Sequence, residues 1–260
     1  MNTDLIQFVL DHPSHPGNIG GVARAIKTMG FSHLALVNPK RFPSVEATQR
    51  ASGAADVLHE ARLADSLAEA ICDSTLVIGT SSRERSLKIP VLTPREAAEE
   101  VAKEVAQARQ VSFVFGAENN GLSNDNLVRC HFHVMIPANP AYCSLNLASA
   151  VQLIAYELRC RLLEPQPSAA KGDDSNASKA EGDLPCIQGE MEQFYQHLES
   201  VLIKIGFLNP NNPRHLMARL KRLYNRTQPD QIEMKILRGI LALTEKNQPM
   251  IPSDSNKDLT

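Results

Sequence analysis

Cysteine is sparse and scattered. The five residues, Cys72, Cys130, Cys143, Cys160 and Cys186, are odd in number, far apart and never arranged as CxxC. That excludes a disulfide framework and a paired-cysteine zinc site, and it fits a reducing, cytoplasmic compartment. Long apolar runs are missing as well: none approaches the ~18 residues of a membrane helix. The opening MNTDLIQFVL lacks a basic leader and has only a very short apolar run, so no signal peptide is expected. Charge of one sign is lacking: 27 Lys+Arg stand against 29 Asp+Glu, so whole-chain charge points to no partner. His12 and His15 have no further ligands beside them, and no metal is expected. Two nucleotide signatures are absent too. Gly17, Gly20 and Gly21 do not make a GxGxxG, and Asn38-Pro39 stands where that fingerprint needs an acid. No P-loop pattern occurs. A nicotinamide-dependent oxidoreductase is therefore disfavoured.

What is present is ordinary globular composition: 260 residues, 43% hydrophobic and 22% charged, enough for one large domain or one with a smaller companion. Residues 1–164 alternate short apolar runs with helical patterns. Strands are predicted at Ile6–Leu10, Leu34–Val37, Thr75–Ile78, Val111–Phe115 and His133–Ile136. Helices are predicted over Gly20–Met29, stopped by Gly30, over Pro94–Gln107, and from Ser144 or Leu145 to Leu163. Apolar strands separated by helices imply an α/β domain whose parallel sheet is covered on both faces. Leu145–Leu158 is apolar nearly all round, which implies burial on more than one side, within the domain or against another subunit. Residues 165–185 are Pro/Ser/Ala/Gly/Asp-rich and read as a flexible linker. Residues 186–248 hold nine Lys/Arg against six Asp/Glu and three helical patterns. These are Met191/Phe194/Tyr195/Leu198/Leu202/Ile205, then Leu216/Leu220/Leu223, then Ile232/Ile236/Ile240/Leu243 after Pro229. They form a small all-α domain, and residues 249–260 a loose polar tail.

Four polar, Gly/Pro-rich segments follow predicted strand ends: HPSHPGNIGGVARAIKTMG, GTSSRERSL, GAENNGLSND and PANPAYCSLNLASAVQ. Open parallel sheets bind ligands at the carboxyl ends of their strands, so these loops mark a binding site. They also carry a resemblance. HPGNIGGVARAIKTMGF, FVFGAENNGLSND and IPANPAYCSLNLASAVQ are similar, in this order, to motifs 1, 2 and 3 of the SPOUT family of RNA methyltransferases, over roughly residues 4–163. Within that family the chain looks most like tRNA 2′-O-methyltransferases with a helical C-terminal extension, which MEQFYQHLE and LRGILA resemble. The resemblance implies a deep trefoil knot ending the α/β domain, with S-adenosylmethionine bound in it in a bent shape. It implies a homodimer with the site near the interface, and methylation of cytidine or uridine at position 32 of the tRNA anticodon loop. A non-catalytic RNA-binding relative, or an enzyme acting on another RNA such as rRNA, is the alternative.

Residue by residue, the resemblance assigns Thr80, Ser81, Ser82, Gly116, Ile136, Cys143, Ser144 and Leu145 to the cofactor. Arg24, Asn18, Glu118 and Ser144 fall to catalysis. A guanidinium has a pKa above ~12 and no acceptor, so Arg24 is expected to orient the ribose or its phosphate and stabilise alkoxide charge. Glu118 pairs with Arg24 or Arg83, or accepts from substrate. Ser144 contacts cofactor or ribose, or caps the next helix. Ala117 and Cys143 depart from the family pattern, which often has arginine and serine there. Arg83 and Arg85 on a loop suit phosphates. Arg219, Arg222 and Arg226 fall at i, i+3 and i+7, opposite the Leu216/Leu220/Leu223 stripe, with Lys221 nearby. That basic helix face is expected to meet tRNA phosphates.

Overall fold

The computed structural model describes residues 2–81, 89–164 and 184–247. Ser82, Arg83, Arg85, most of the segment 165–185 and the tail lie outside the described residues. Seven strands form one sheet: β1 (Ile6–Asp11), β2 (His33–Val37), β3 (Arg62–Ala64), β4 (Leu76–Thr80), β5 (Val91–Leu92), β6 (Val111–Phe115) and β7 (Phe132–Val134). Their order is β3-β2-β1-β6-β4-β7-β5, and every pairing is parallel. The helices are α1 (Pro16–Thr28), α2 (Val45–Ala51), α3 (Ala55–His59), α4 (Leu67–Ala70), α5 (Pro94–Ala106), α6 (Asn124–Leu127), α7 (Leu147–Leu163), α8 (Gln188–Lys204), α9 (Leu216–Thr227) and α10 (Gln231–Lys246).

All five predicted strands are present. The edge strands β3 and β5, RLA and VL, are too short to show a pattern in sequence; pairing with β2 and β7 makes them. β1 and β6 are central and wholly buried, which is why each reads as a mostly apolar run in which only Gln7, Asp11 and Ser112 are polar. Alternation sorts the side chains of these strands and of β4 between two layers. Ile6, Phe8, Leu10, Phe113 and Phe115 join the core shared with α1, α5 and α7, whereas Val9, Val77 and Val114 join the one beneath α4 and α6. The Phe8 ring stacks with those of Phe113 and Phe115, with centroids 6.1 and 6.3 Å apart.

α1 begins at Pro16, four residues before the predicted start, because a proline in the first helical position has no N–H to leave unpaired. It ends as predicted at Gly30, whose φ is 81°. Its two adjacent glycines serve packing. A Cβ on Gly20 would lie 2.1 Å from the Ala47 carbonyl of α2, and one on Gly21 would lie 3.0 Å from Ala148 of α7. α7 starts later than predicted. Asn146 rather than Ser144 caps it, with Oδ1 accepting from the Ala148 N–H at 3.0 Å. The domain buries only one side of α7, through Leu147, Val151, Ile154, Ala155 and Leu158; Leu153, Tyr156 and Leu163 stay exposed.

α8, α9 and α10 share a separate core of Met191, Phe194, Tyr195, Leu198, Val201, Met234 and Leu241. The α8 stripe is as predicted, but two others are rotated. On α10, Met234, Leu237 and Leu241 face the core, and Ile232, Ile236, Ile240 and Leu243 are 46% to 62% exposed. On α9, Met217, Leu220 and Tyr224 turn inward and Leu223 is exposed. Each helix offers two apolar faces in sequence, and the three-helix packing uses one.

This small domain docks at the amino ends of β4 and β7. In the first turn of α8, the N–H groups of Gln188 and Gly189 donate to the carbonyls of Ser74 and Cys72 at 2.9 and 2.8 Å, which satisfies donors a helix start leaves open. Asn225 Nδ2 donates to the Val128 carbonyl at 2.7 Å, and Arg129 pairs with Glu192. His131, pushed down to about 4 by burial, accepts the Val77 N–H at Nδ1 and faces the Gln188 amide. Leu184 and Pro185, assigned by sequence to the linker, instead belong to the domain. The Leu184 carbonyl accepts from the Gln231 N–H at 3.1 Å, and Pro185 bridges Asp230. Among the described residues, no helix is long and apolar enough to cross a membrane.

Candidate active site

The loops after β1, β4, β6 and β7 meet at the carboxyl edge of the sheet around a cavity of about 440 Å³. Asn18, Thr80, Ser81, Gly116, Glu118, Ile136, Cys143, Ser144 and Leu145 all line it. So do Asn146 and, not assigned to the site by sequence reasoning, Phe115, Asn119, Asn120, Gly121, Val134, Tyr142, Leu147 and Ala150. Tyr142, 81% exposed, is an aromatic left in water inside motif 3. The local sequence offered that signal, since a loop rarely spends an aromatic on solvent without a partner.

Motif 2 is folded tightly on itself. A Cβ on Gly116 would lie 2.0 Å from the Gly121 carbonyl carbon and 2.1 Å from the Leu122 nitrogen, so only glycine lets the loop close. The Gly121 N–H donates back to the Ala117 carbonyl at 2.8 Å. Thr80 is held by its own hydroxyl, which donates to the Val114 carbonyl at 3.1 Å. The Ser81 N–H donates to the Val134 carbonyl at 3.2 Å, tying the β4 loop to β7.

Glu118 does not pair with Arg24. Its carboxylate accepts from the Ser14 N–H at 2.9 Å, the Ser14 hydroxyl at 2.7 Å, the His15 N–H at 3.1 Å and Asn18 Nδ2 at 2.9 Å. Asn18 Oδ1 in turn accepts from Asn146 Nδ2 at 3.0 Å, and Asn146 caps α7. One carboxylate therefore links motif 2 to motif 1 and, through two amides, to motif 3. Burial pushes the Glu118 carboxyl up, but the donors of Asn18 and Ser14 outweigh it and hold the group at about 2. It is ionised at neutral pH and acts as an anchor. Ser14 was missed because its role needs a partner 104 positions away.

Arg24 is exposed on α1 and is not among the cavity-lining residues. Among the described residues no carboxylate lies within 4.0 Å of it. Arg83, Arg85 and Ser82 fall outside the described residues. In the helical domain, Arg219 and Arg226 are exposed and Arg222 half-buried. Lys221 departs from the predicted basic face. It is turned inward at 17% exposure, 3.8 Å from Glu192 and 5.4 Å from the Tyr195 ring centroid, and burial pushes its ammonium down. Its face is the one packed on α8, so it serves the fold. His12 is bound to Asp11 through Nδ1 at 2.7 Å, and the described residues contain no cluster of three or more metal-ligating side chains.

Residues 5–156 match the SpoU rRNA Methylase family, and residues 189–251 match the C-terminal domain of the tRNA methyltransferase TrmJ. The chain is 48% identical to the tRNA (cytidine/uridine/adenosine-2′-O-)-methyltransferase TrmJ of Pseudomonas aeruginosa (strain UCBPP-PA14), over 94% of this chain and 95% of that one. This chain belongs to the TrmJ family. It is 46% identical to the tRNA (cytidine/uridine-2′-O-)-methyltransferase TrmJ of Yersinia pestis (strain Pestoides F), over 93% and 91% of the two chains. The crystal structure of TrmJ from Z. mobilis ZM4 superposes with a TM-score of 0.79 at 33% identity, covering 92% of this chain and 98% of that one. Both parts of the TrmJ architecture, the SpoU-type sheet domain and the helical extension, are thus present in one chain.

Proposed function

We propose that this protein transfers a methyl group from S-adenosylmethionine to the ribose 2′-oxygen of a tRNA nucleotide, cytidine or uridine at position 32 of the anticodon loop. The observation that carries the reading is the convergence of motifs 1, 2 and 3 on one cavity, locked together by the Glu118–Asn18–Asn146 chain. The lining fits an adenosine-bearing cofactor. Ile136, Leu145, Leu147 and Val134 offer apolar walls for a flat base, while Ser81, Ser144 and the turns around Gly116 add polar groups for its edges. The family's trefoil knot would be built by the segment from β7 to α7, which supplies most of those walls.

When bound, the donor supplies an activated methyl with a good leaving group, so the protein's work is alignment and charge stabilisation. Thr80, Ser81, Gly116, Ile136, Cys143, Ser144 and Leu145 hold the donor. Asn18, fixed by Glu118 and Asn146, presents an ordered amide to the reacting sugar. Arg24, exposed and without a carboxylate partner among the described residues, orients the ribose or its phosphate and stabilises the developing alkoxide. Arg219, Arg222 and Arg226 hold tRNA phosphates, joined by Arg83 and Arg85, which follow β4 in sequence. The active form is a homodimer that covers the exposed Leu153/Tyr156/Leu163 side of α7. Five free cysteines and a tRNA substrate support the reading that it works in the cytoplasm, and the mechanism proposed calls on no metal.

Incubation with tRNA and labelled methyl donor, followed by mapping of the labelled nucleotide, tests this reading. The expected product is a 2′-O-methylated pyrimidine at position 32. Absence of label at saturating donor would leave a non-catalytic RNA-binding protein. Arg24→Ala should lower kcat at least tenfold (about 1.4 kcal/mol) while donor affinity stays within about twofold. Equal losses in both would make Arg24 a cofactor ligand or a structural residue.

A further inference from the structure

A second cavity, of about 520 Å³, lies against the first. The two share one wall, the motif 2 turn at Ala117 and Asn119–Gly121. Apart from the apolar Leu122, the remaining lining comes chiefly from the polar side chains of Asp11, His12, Lys40, Asn124 and Asn126. Its floor is a built arrangement. Asp11 ends β1 at 5% exposure, and its two carboxylate oxygens are both engaged. Oδ1 faces His12 Nδ1 at 2.7 Å, and Oδ2 accepts from Asn126 Nδ2 at 2.7 Å. A carboxylate only accepts, so Nδ1 of His12 carries a proton and donates, which leaves Nε2 as the outward polar atom of a ring held in one tautomer. The backbone supports the same placement. His12 adopts φ 54°, and its N–H donates to the Val37 carbonyl at 2.8 Å.

We propose that this cavity receives the base of the nucleotide being methylated, with His12 as the residue that selects among bases. The inference rests on the 2′-O-methyltransferase reading and extends it to base choice. In a nucleotide the 2′-oxygen and the base hang on adjacent sugar carbons. If the ribose is presented to the first cavity, its base must fall within a sugar's width of it, and the adjoining cavity meets that condition. The chemistry fits a base better than a phosphate. A phosphate site gathers cations and N–H donors. Here a buried carboxylate underlies a set of amides, an imidazole and one lysine, a mixture of donors and acceptors like that on a base's hydrogen-bonding edge. An imidazole can also stack on a base face.

The test uses the full-length protein with tRNA transcripts carrying cytidine, uridine or adenosine at the methylated position. His12→Gly removes the ring without straining a left-handed backbone, and His12→Asn keeps a polar group that tolerates the same φ. Melting curves establish that both variants are folded. We expect His12→Gly to change the ratio of kcat/KM between bases by about tenfold, while affinity for the donor alone is unchanged. His12→Asn should shift the preference in a different pattern from glycine. If the wild-type protein discriminates and both variants keep its base ratio within twofold, the cavity does not read the base and this inference falls alone. If the wild-type protein methylates no transcript, the methyltransferase reading and this inference fall together.

Discussion

Replacing Glu118 by glutamine should both loosen the site and cost stability, in a way that depends on pH. The carboxylate accepts four hydrogen bonds. Glutamine has one oxygen, and its NH2 would face donors from Ser14 or from His15 and Asn18. Holding the carboxyl at about 2 against an ordinary 4.5 corresponds by linkage to ~3 kcal/mol in favour of the folded, ionised state. The group is half-buried, and water screens part of that, so we expect ~1 to 2 kcal/mol at pH 7. For a domain of this size that lowers Tm by roughly 3–6 °C. The folded-state pKa is depressed, so this stability is present above the unfolded value and is lost as pH falls from about 4.5 toward about 2. Roughly four tenths of the difference should be gone by pH 3.5. Urea titrations of wild-type and Glu118→Gln proteins at pH 7, 5 and 3.5 measure it. A gap that is nil at pH 7, or that stays constant down to pH 3.5, would refute the anchoring role. Because Asn18 hangs from this carboxylate, turnover should fall more than donor affinity.

Other consequences are separable. Arg219→Ala/Arg222→Ala/Arg226→Ala should weaken tRNA binding and reduce the slope of log affinity against log salt by about 2 to 3, whereas Lys221→Ala should lower stability and leave that slope alone. A slope change for Lys221 comparable to the arginines would contradict its inward placement. Gly20→Ala places a methyl 2.1 Å from the Ala47 carbonyl, and the overpacking should cost at least ~2 kcal/mol in a urea titration. Asn225→Ala strips a partner from the Val128 carbonyl across the seam between the two domains and from the Tyr195 hydroxyl within the helical one, about 2 kcal/mol in all. Limited proteolysis should then cut α9 and α10 faster, with donor binding by the sheet domain unaltered; an unchanged cleavage rate would mean the seam does not hold the helices.

Much of the architecture is local in origin. The mostly apolar runs QFVL and VSFVF read as strands of a sheet covered on both faces, because their apolar residues do not alternate regularly with polar ones, and the fold places both at its centre. Pro16, Gly30 and Pro94 mark helix boundaries through backbone geometry that each residue carries with it. The motif loops announced a cavity because glycine, proline and asparagine cluster where strands end. What local pattern could not choose was which of two apolar faces a helix would bury. Ile232, Ile236, Ile240 and Leu243 have an impeccable helical period and still face solvent, since packing against α8 selected Met234, Leu237 and Leu241. Lys221 looked like part of a cationic surface until Glu192 and Tyr195 claimed it. The Glu118 partner was invisible for the same reason. A carboxylate's donors are chosen by distance in space, and Ser14 and Asn18 stand 104 and 100 positions away along the chain. Residue type and order thus determined five of the seven strands, the helix limits at Gly30 and Pro94, and the loops that make the site. Only the folded arrangement decided which charges are anchors and which remain open to a substrate, because that depends on desolvation and on neighbours that the chain brings together only when it closes.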